Sequence, residues 1–384
     1  MAKRPFKLPG VEDLNKDQDR VLRLPQDGQF LIVGGPGTGK SVVTLLRTLK
    51  YYEKNTYVFM TYNKVLLSFT NQLVKDQLDK SQLENRTLTS VIYKAYWKQF
   101  SINAPEKEPY KPDYDQIIEN FKKLDKEPIK LHLLIDEGQD MPPQFYEALM
   151  YLGIQNFFIV ADQNQQITDQ KSNRQELTDL LNLDIEDVIE LKENFRNSRP
   201  IALLASSFYT DPSSPLPELP KESVRSLDVP VLFEYSNYHD CINLILREAD
   251  NDSRNLIGVM VANNNLRNNY TEALKAADIE LDNPKPVVSS YASNSKTDVN
   301  IDFNEGGIVV LNDKSVKGLE FDVVYIVIDG FQTNNNDLDS MKKRFYVMTS
   351  RAIKKLVLLM STKYKGAVDQ ILPEEETILK RESI

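Results

Sequence analysis

Short apolar runs recur along the chain, separated by stretches of helical spacing. Phe30–Val33, Thr56–Thr61, Leu131–Asp136, Phe157–Asp162, Leu256–Val261, Gly307–Leu311 and Val323–Ile328 are rich in Val, Ile, Leu and Phe and of strand length. A strand with one wet face alternates apolar and polar side chains. Continuous apolar runs belong instead to strands buried on both faces, as in parallel sheets covered by helices. The pattern appears twice over, so the expected class is α/β with two parallel sheets.

Two stretches break the rhythm. Tyr209–Pro230 is crowded with Pro and Ser and reads as a connector. Asn283–Glu305 is polar, lacks a periodic apolar face, and is expected to be a loop or weak hairpin. The domain break is placed near Leu191, giving 1–191 and 192–384, with a small helical insertion at about 92–130 in the first.

Composition narrows the class. The length of 384 residues is enough for two cores, and 41% hydrophobic with 27% charged residues excludes a fibrous or disordered chain. Apolar runs such as Phe157–Ala161 and Val323–Ile328 are far short of the roughly 20 residues a membrane span needs, so no membrane segment is expected. Lys3, Arg4 and Lys7 have no apolar stretch behind them, so Met1–Pro9 is not expected to be a secretory signal. Cys241 is the single cysteine and cannot form an internal disulfide; a reducing cytoplasmic location is expected. The net charge of −9 argues against coating nucleic acid with a broadly basic surface, confining any such contact to a local groove. His132 and His239 lack metal-type company.

Gly34-Gly35-Pro36-Gly37-Thr38-Gly39-Lys40-Ser41 follows one apolar run and precedes a helical pattern from Val42 to Leu49. Such a loop turns backbone N–H groups around phosphates, with Lys40 as a point charge and the Ser41 hydroxyl as a Mg²⁺ ligand. Leu133-Leu134-Ile135-Asp136-Glu137 ends a second buried run with two carboxylates. Asp136 is expected to hold Mg²⁺ and Glu137 to orient or deprotonate the attacking water. Gly35, Pro36, Gly37, Thr38, Gly39, Lys40 and Ser41 are therefore the expected ATP-binding residues.

Asp136-Glu137-Gly138-Gln139-Asp140 together with Val316-Lys317-Gly318-Leu319-Glu320-Phe321-Asp322 resembles the superfamily 1 helicases of UvrD, Rep and PcrA type. The resemblance extends from Leu14 to about Leu359 and implies two tandem RecA-like P-loop domains. Leu14-Asn15-Lys16-Asp17-Gln18 is similar to that family's Q motif, which would put Gln18 on the adenine edge. Ala161-Asp162-Gln163-Asn164-Gln165 is similar to motif III, implying Gln165 as a γ-phosphate sensor. Asn194-Phe195-Arg196-Asn197-Ser198 resembles motif IV, with Phe195 stacking on the base and Arg196 at the γ-phosphate. Tyr346-Val347-Met348-Thr349-Ser350-Arg351-Ala352 resembles motif VI, making Arg351 a second arginine finger, and Glu320 would contact the ribose. With Lys40, Asp136 and Glu137 in one half and Arg351 in the other, ATP is expected to be hydrolysed in a cleft between the halves.

A nucleic-acid track is expected in Thr61-Tyr62-Asn63-Lys64, similar to motif Ia, in Thr87 and Ser90 of the next loop, and in Lys314 and Ser315. Departures qualify this. Thr89 and Lys314 stand where the family usually has histidine, the large accessory subdomains are reduced or missing, and Thr168–Asn173 lacks the stacking aromatic of motif III. The leading expectation is an ATP- and Mg²⁺-dependent translocase or helicase on single-stranded DNA rather than RNA, which the resemblance implies would move 3′ to 5′. Two alternatives stand beside it. One is a nucleotide-gated subunit partnering a nuclease or effector in a repair or defence complex; the other is an ATPase that remodels RNA or RNA polymerase.

Overall fold

The computed structural model describes residues 4, 8–51, 57–61, 64–74, 85–125, 127–162, 165, 172–210, 216–220, 228–291, 301–332 and 337–384, with backbone only at 74 and 85–89. Leu8–Lys192 form one unit; Arg4 belongs with Glu193–Ile384 in the other.

The N-terminal unit is built on β1 (Gln29–Gly34), β2 (Tyr57–Thr61), β3 (Asn85–Thr87), a small antiparallel hairpin of β4 (Glu106–Glu108) and β5 (Lys111–Pro112), then β6 (Ile129–Ile135), β7 (Ile154–Ala161) and β8 (Ile189–Leu191). Its main sheet is wholly parallel, in the order β3-β2-β6-β7-β1-β8. The period of two along each strand divides the apolar residues between two layers. Leu31, Val33, Leu133, Ile135, Phe157 and Ile159 join one core, and Ile32, Leu134, Phe158 and Val160 join the other. Helices Lys16–Leu22 and Lys40–Tyr51 cover the second face. Helices Leu88–Phe100, Tyr114–Lys122, Pro143–Tyr151 and Arg174–Leu180 cover the first, and Ile92, Tyr96, Ile117 and Phe121 pack directly into that core.

The C-terminal unit carries β9 (Val231–Tyr235), β10 (Leu256–Val261), β11 (Val288–Tyr291), β12 (Gly307–Asn312), β13 (Phe321–Val327), β14 (Ala352–Ser361) and β15 (Lys380–Ser383). All seven lie parallel in the order β11-β12-β10-β13-β14-β9-β15. Helices Tyr238–Asn251 and Asn264–Ala276 bury Ile242, Ile245, Tyr270 and Leu274 against Ile257, Val259, Val310, Val323 and Tyr325. Helices Arg199–Ser206 and Leu338–Thr349 pack on each other, and both touch β14.

Both units are therefore α/β with parallel main sheets, consistent with tandem RecA-like P-loop domains. One local expectation is corrected. Within Asn283–Glu305, Val288–Tyr291 is neither loop nor hairpin; it is an edge strand pairing parallel to β12 through Val288↔Ile308 and Tyr291↔Leu311. Only its end residues are buried, and the two serines between them hide the apolar signal. Thr56, expected to open β2, lies outside the described residues.

Candidate functional site

In a parallel sheet every strand delivers its following loop to the same edge. Register places Val33 beside Ala161 and Ile159 beside Ile135, so the segments after β1, β7 and β6 emerge side by side. These carry the glycine-rich loop, Asp162, and Asp136 with Glu137. The loop turns through Gly37 at φ 74° and Gly39 at φ 85°, both in the left-handed region where glycine is at home. A Cβ at Gly39 would also strike the Gln18 amide. Thr38 Oγ1 donates to the Gly35 carbonyl at 2.8 Å and tightens the turn. Helix Lys40–Tyr51 begins directly after it, so its N-terminal end, with the positive end of its dipole, points into the loop.

Lys40, 8% exposed, donates from Nζ to the carbonyls of Gly34 at 2.8 Å and Gly35 at 2.7 Å, with Asp162 Oδ2 at 3.7 Å. Asp162 in turn accepts from Gln165 Nε2 at 2.6 Å. Gln139 joins this to the acidic pair: its Nε2 donates to Glu137 Oε2 at 2.8 Å while its Oε1 accepts the Asp162 backbone N–H at 3.1 Å. Lys40, Asp162, Gln165, Gln139 and Glu137 thus form one buried polar chain. Glu137 itself sits at φ 59°, ψ 41°, a left-handed conformation uncommon outside glycine.

Asp136 is 1% exposed, and its Oδ1 accepts the Glu137 N–H at 3.1 Å. Its Oδ2 is buried without a hydrogen-bond partner among the described residues. Burial, then the neighbouring Glu137 charge, push its carboxyl up to about 6, against the opposing pull of the Ser41 hydroxyl and Lys40. A hard cation needs oxygen donors of this kind, and the orphaned Asp136 oxygen with Ser41 fits Mg²⁺.

Gln18 is committed on both sides. Its Oε1 accepts the Asn15 N–H at 3.0 Å, in a capping box that starts helix Lys16–Leu22, and its Nε2 donates to the Thr38 carbonyl at 3.0 Å. In this structure it braces the glycine-rich loop, and its amide nitrogen and oxygen are both engaged.

The C-terminal unit brings its own expected residues together. Arg196 places Nε and Nη2 on Glu320 Oε1, each at 2.6 Å. Burial raises the Glu320 carboxyl, but the Arg196 guanidinium, helped by Arg4 and Arg351, outweighs it and holds it below the usual range. Asn197 Nδ2 donates to the carbonyls of Ser350 at 3.1 Å and Ala352 at 2.6 Å, fastening the turn that carries Arg196 to the one that carries Arg351. Arg351 is 1% exposed and folds back on its helix end, donating to the Val347 carbonyl at 2.9 Å and Ser350 Oγ at 3.0 Å. Phe195 stands 42% exposed.

The expected nucleic-acid residues fare unevenly. Thr61 and Thr87 lie level at the carboxyl ends of β2 and β3. Lys64 is exposed at the start of helix Lys64–Val74, and Ser90 is half-buried in helix Leu88–Phe100. The Thr61 hydroxyl is buried, as is that of Ser315, and neither has a hydrogen-bond partner among the described residues. Lys314 is exposed after β12. Tyr62 and Asn63 lie outside the described residues.

Asp162, Gln139 and Asn197 stand inside runs the sequence singles out, yet carry no expected role there; the structure gives each one. Asp162 carried the same signal as Asp136, a carboxylate closing an apolar run. Gln139, two residues beyond Glu137, carried none beyond its place in the acidic run.

Residues 18–171 match the family described as AAA domain. No curated protein sequence matches the chain. Among the solved structures similar to it is the C-terminal domain of a possible DNA helicase from Lactobacillus plantarum WCFS1, at 16% identity and a TM-score of 0.34, covering 49% of this chain and 98% of that one. Among the described residues, no helix is long and apolar enough to cross a membrane.

Proposed function

We propose that the chain is an ATP-hydrolysing translocase of helicase type that moves on single-stranded DNA, 3′ to 5′. The observation that carries the reading is the buried chain running from Lys40 through Asp162 to Gln165 and, through Gln139, to Glu137. It links the groups that would hold the terminal phosphate to the group that would activate water. The glycine-rich loop and the helix behind it bind the triphosphate, and Lys40 exchanges its carbonyl partners for phosphate oxygens. Glu137, held by Gln139, takes the proton of the attacking water. Asp136 and Ser41 would hold Mg²⁺, which supplies charge neutralisation at the phosphates.

A simple nucleotide hydrolase needs no second parallel sheet. Here that sheet's unit supplies Arg196 and Arg351, candidate arginine fingers, and Phe195, an exposed ring for the base. An arginine at the transferring phosphate is worth about 10³ to 10⁵ in rate. Arg196 has to leave Glu320 before it can act, so turnover is coupled to a rearrangement in the C-terminal unit. Repeated rearrangement is what turns hydrolysis into displacement along a strand.

One observation favours a second reading, a nucleotide-gated subunit of a nuclease or repair complex. Between β10 and β12 the described chain holds only helix Asn264–Ala276 and the short edge strand β11, leaving little for duplex separation. Steady-state hydrolysis measured with and without single strands separates the two. A motor turns over faster on the strand, whereas a gated subunit binds ATP tightly and turns over slowly in both conditions.

A further inference from the structure

Among the described residues, Arg4 joins the C-terminal unit from the other end of the chain. Arg4 lies 5% exposed in its side chain, with Nε on Asp322 Oδ2 at 2.6 Å, and Asp322 is 7% exposed. Arg4 also donates from its backbone N–H to the Asn304 carbonyl at 2.9 Å and from Nη1 to the Phe303 carbonyl at 3.4 Å. A charge this deeply buried persists only where its partners are fixed. Asp322 is the shared partner of three elements: it accepts the Leu256 N–H at the start of β10 at 3.1 Å, and Lys354 of β14 lies 3.1 Å from its other oxygen.

Asp322 is the second residue of β13, two residues after Glu320, the carboxylate that holds Arg196. The same segment is tied on its other side, where the Phe321 N–H donates to the Arg351 carbonyl at 3.0 Å. Leu319–Asp322 therefore links Arg4 to both candidate arginine fingers. We propose that Arg4 is a positioning residue: by pinning Asp322 it fixes the turn that presents Glu320 to Arg196 and anchors the backbone bearing Arg351. Its role in turnover rests on the ATP-hydrolase reading above. The pin itself does not.

The test uses the full chain as wild type, Arg4→Ala, Arg4→Lys and Asp322→Asn. Amide hydrogen exchange reads the pin without reference to activity. Arg4→Ala is expected to speed exchange at least tenfold at Leu256 and through Gly318–Asp322, leaving the glycine-rich loop of the other unit unchanged. Steady-state kinetics read the consequence: kcat for ATP falls about tenfold or more while KM moves less than threefold. Arg4→Lys, which keeps the charge facing Asp322, recovers most of both, and Asp322→Asn reproduces the alanine phenotype if alanine fails to fold. Unchanged exchange at Gly318–Asp322 overturns the pin. Faster exchange with unchanged kcat overturns the positioning role. A wild type that hydrolyses no ATP defeats the functional reading instead, with exchange still deciding whether Arg4 holds the turn.

Discussion

Replacing Asp136 with asparagine should make the chain more stable and catalytically dead. The carboxyl, ordinarily at 3.8, is pushed up to about 6 by burial and by Glu137. At about 1.4 kcal/mol per unit, keeping it ionised at neutral pH costs the folded state about 3 kcal/mol relative to the unfolded chain. Asparagine removes the charge, keeps an oxygen for the Glu137 N–H, and offers its new amide to the adjacent Glu137 carboxylate. Part of the gain is lost to imperfect pairing, which leaves a net stabilisation of about 1–2 kcal/mol. The sign with pH follows from the raised value. Below about pH 4 the carboxyl is protonated in both states and costs nothing; as pH rises through about 6 the folded wild type loses that stability. The advantage of Asp136→Asn should therefore be largest at pH 7 and vanish on acidification. Urea unfolding of the N-terminal unit without nucleotide or metal, at several pH values, measures it. Adding ATP and Mg²⁺ should stabilise the wild type more than the variant, and hydrolysis should fall by about 100-fold or more. A variant less stable than wild type at pH 7, or an advantage independent of pH, would show that burial does not penalise the Asp136 charge.

Three further changes test other parts of the network. Lys40→Ala should weaken ATP binding and abolish turnover, whereas Glu137→Gln should keep binding and lose turnover by about 100-fold or more; equal loss of binding in both contradicts the roles. Gln139→Ala should lower kcat about tenfold or more while ATP affinity by equilibrium titration changes little, because Gln139 positions Glu137 without lining the phosphate loop. Glu320→Gln should destabilise the C-terminal unit by about 1 kcal/mol at pH 7, discounted for partial exposure. A carboxyl held low contributes stability above its usual range and loses it as pH falls, so the difference from wild type should fade on acidification in urea unfolding.

The α/β architecture was legible because strands buried on both faces carry an unbroken apolar signature. Leu256–Val261, with partners on either side and wholly buried, is readable to the residue. Edge strands lose that signature. Lys380–Ser383 is exposed throughout, and Val288–Tyr291 buries only its ends. After its first residue β14 runs through Ile353-Lys354-Lys355, which masks the buried Leu356–Met360 behind it. At the site, the glycine-rich loop and the acidic pair announce themselves because their chemistry demands particular residues at fixed spacing. Gln139 and Asp162 do not, since a bridging amide and a strand-end carboxylate are common anywhere, and only register reveals that they meet. Arg4 had no signal at all: its partner lies 318 residues away, and no local pattern encodes such a contact.

If ATP hydrolysis by this chain serves movement on single strands, steady-state hydrolysis titrated in parallel with single-stranded DNA, single-stranded RNA and duplex reads it directly. Turnover should rise about tenfold or more with single-stranded DNA, less with RNA, and least with blunt duplex. Turnover unchanged by any of the three would show that hydrolysis is not tied to movement on a strand.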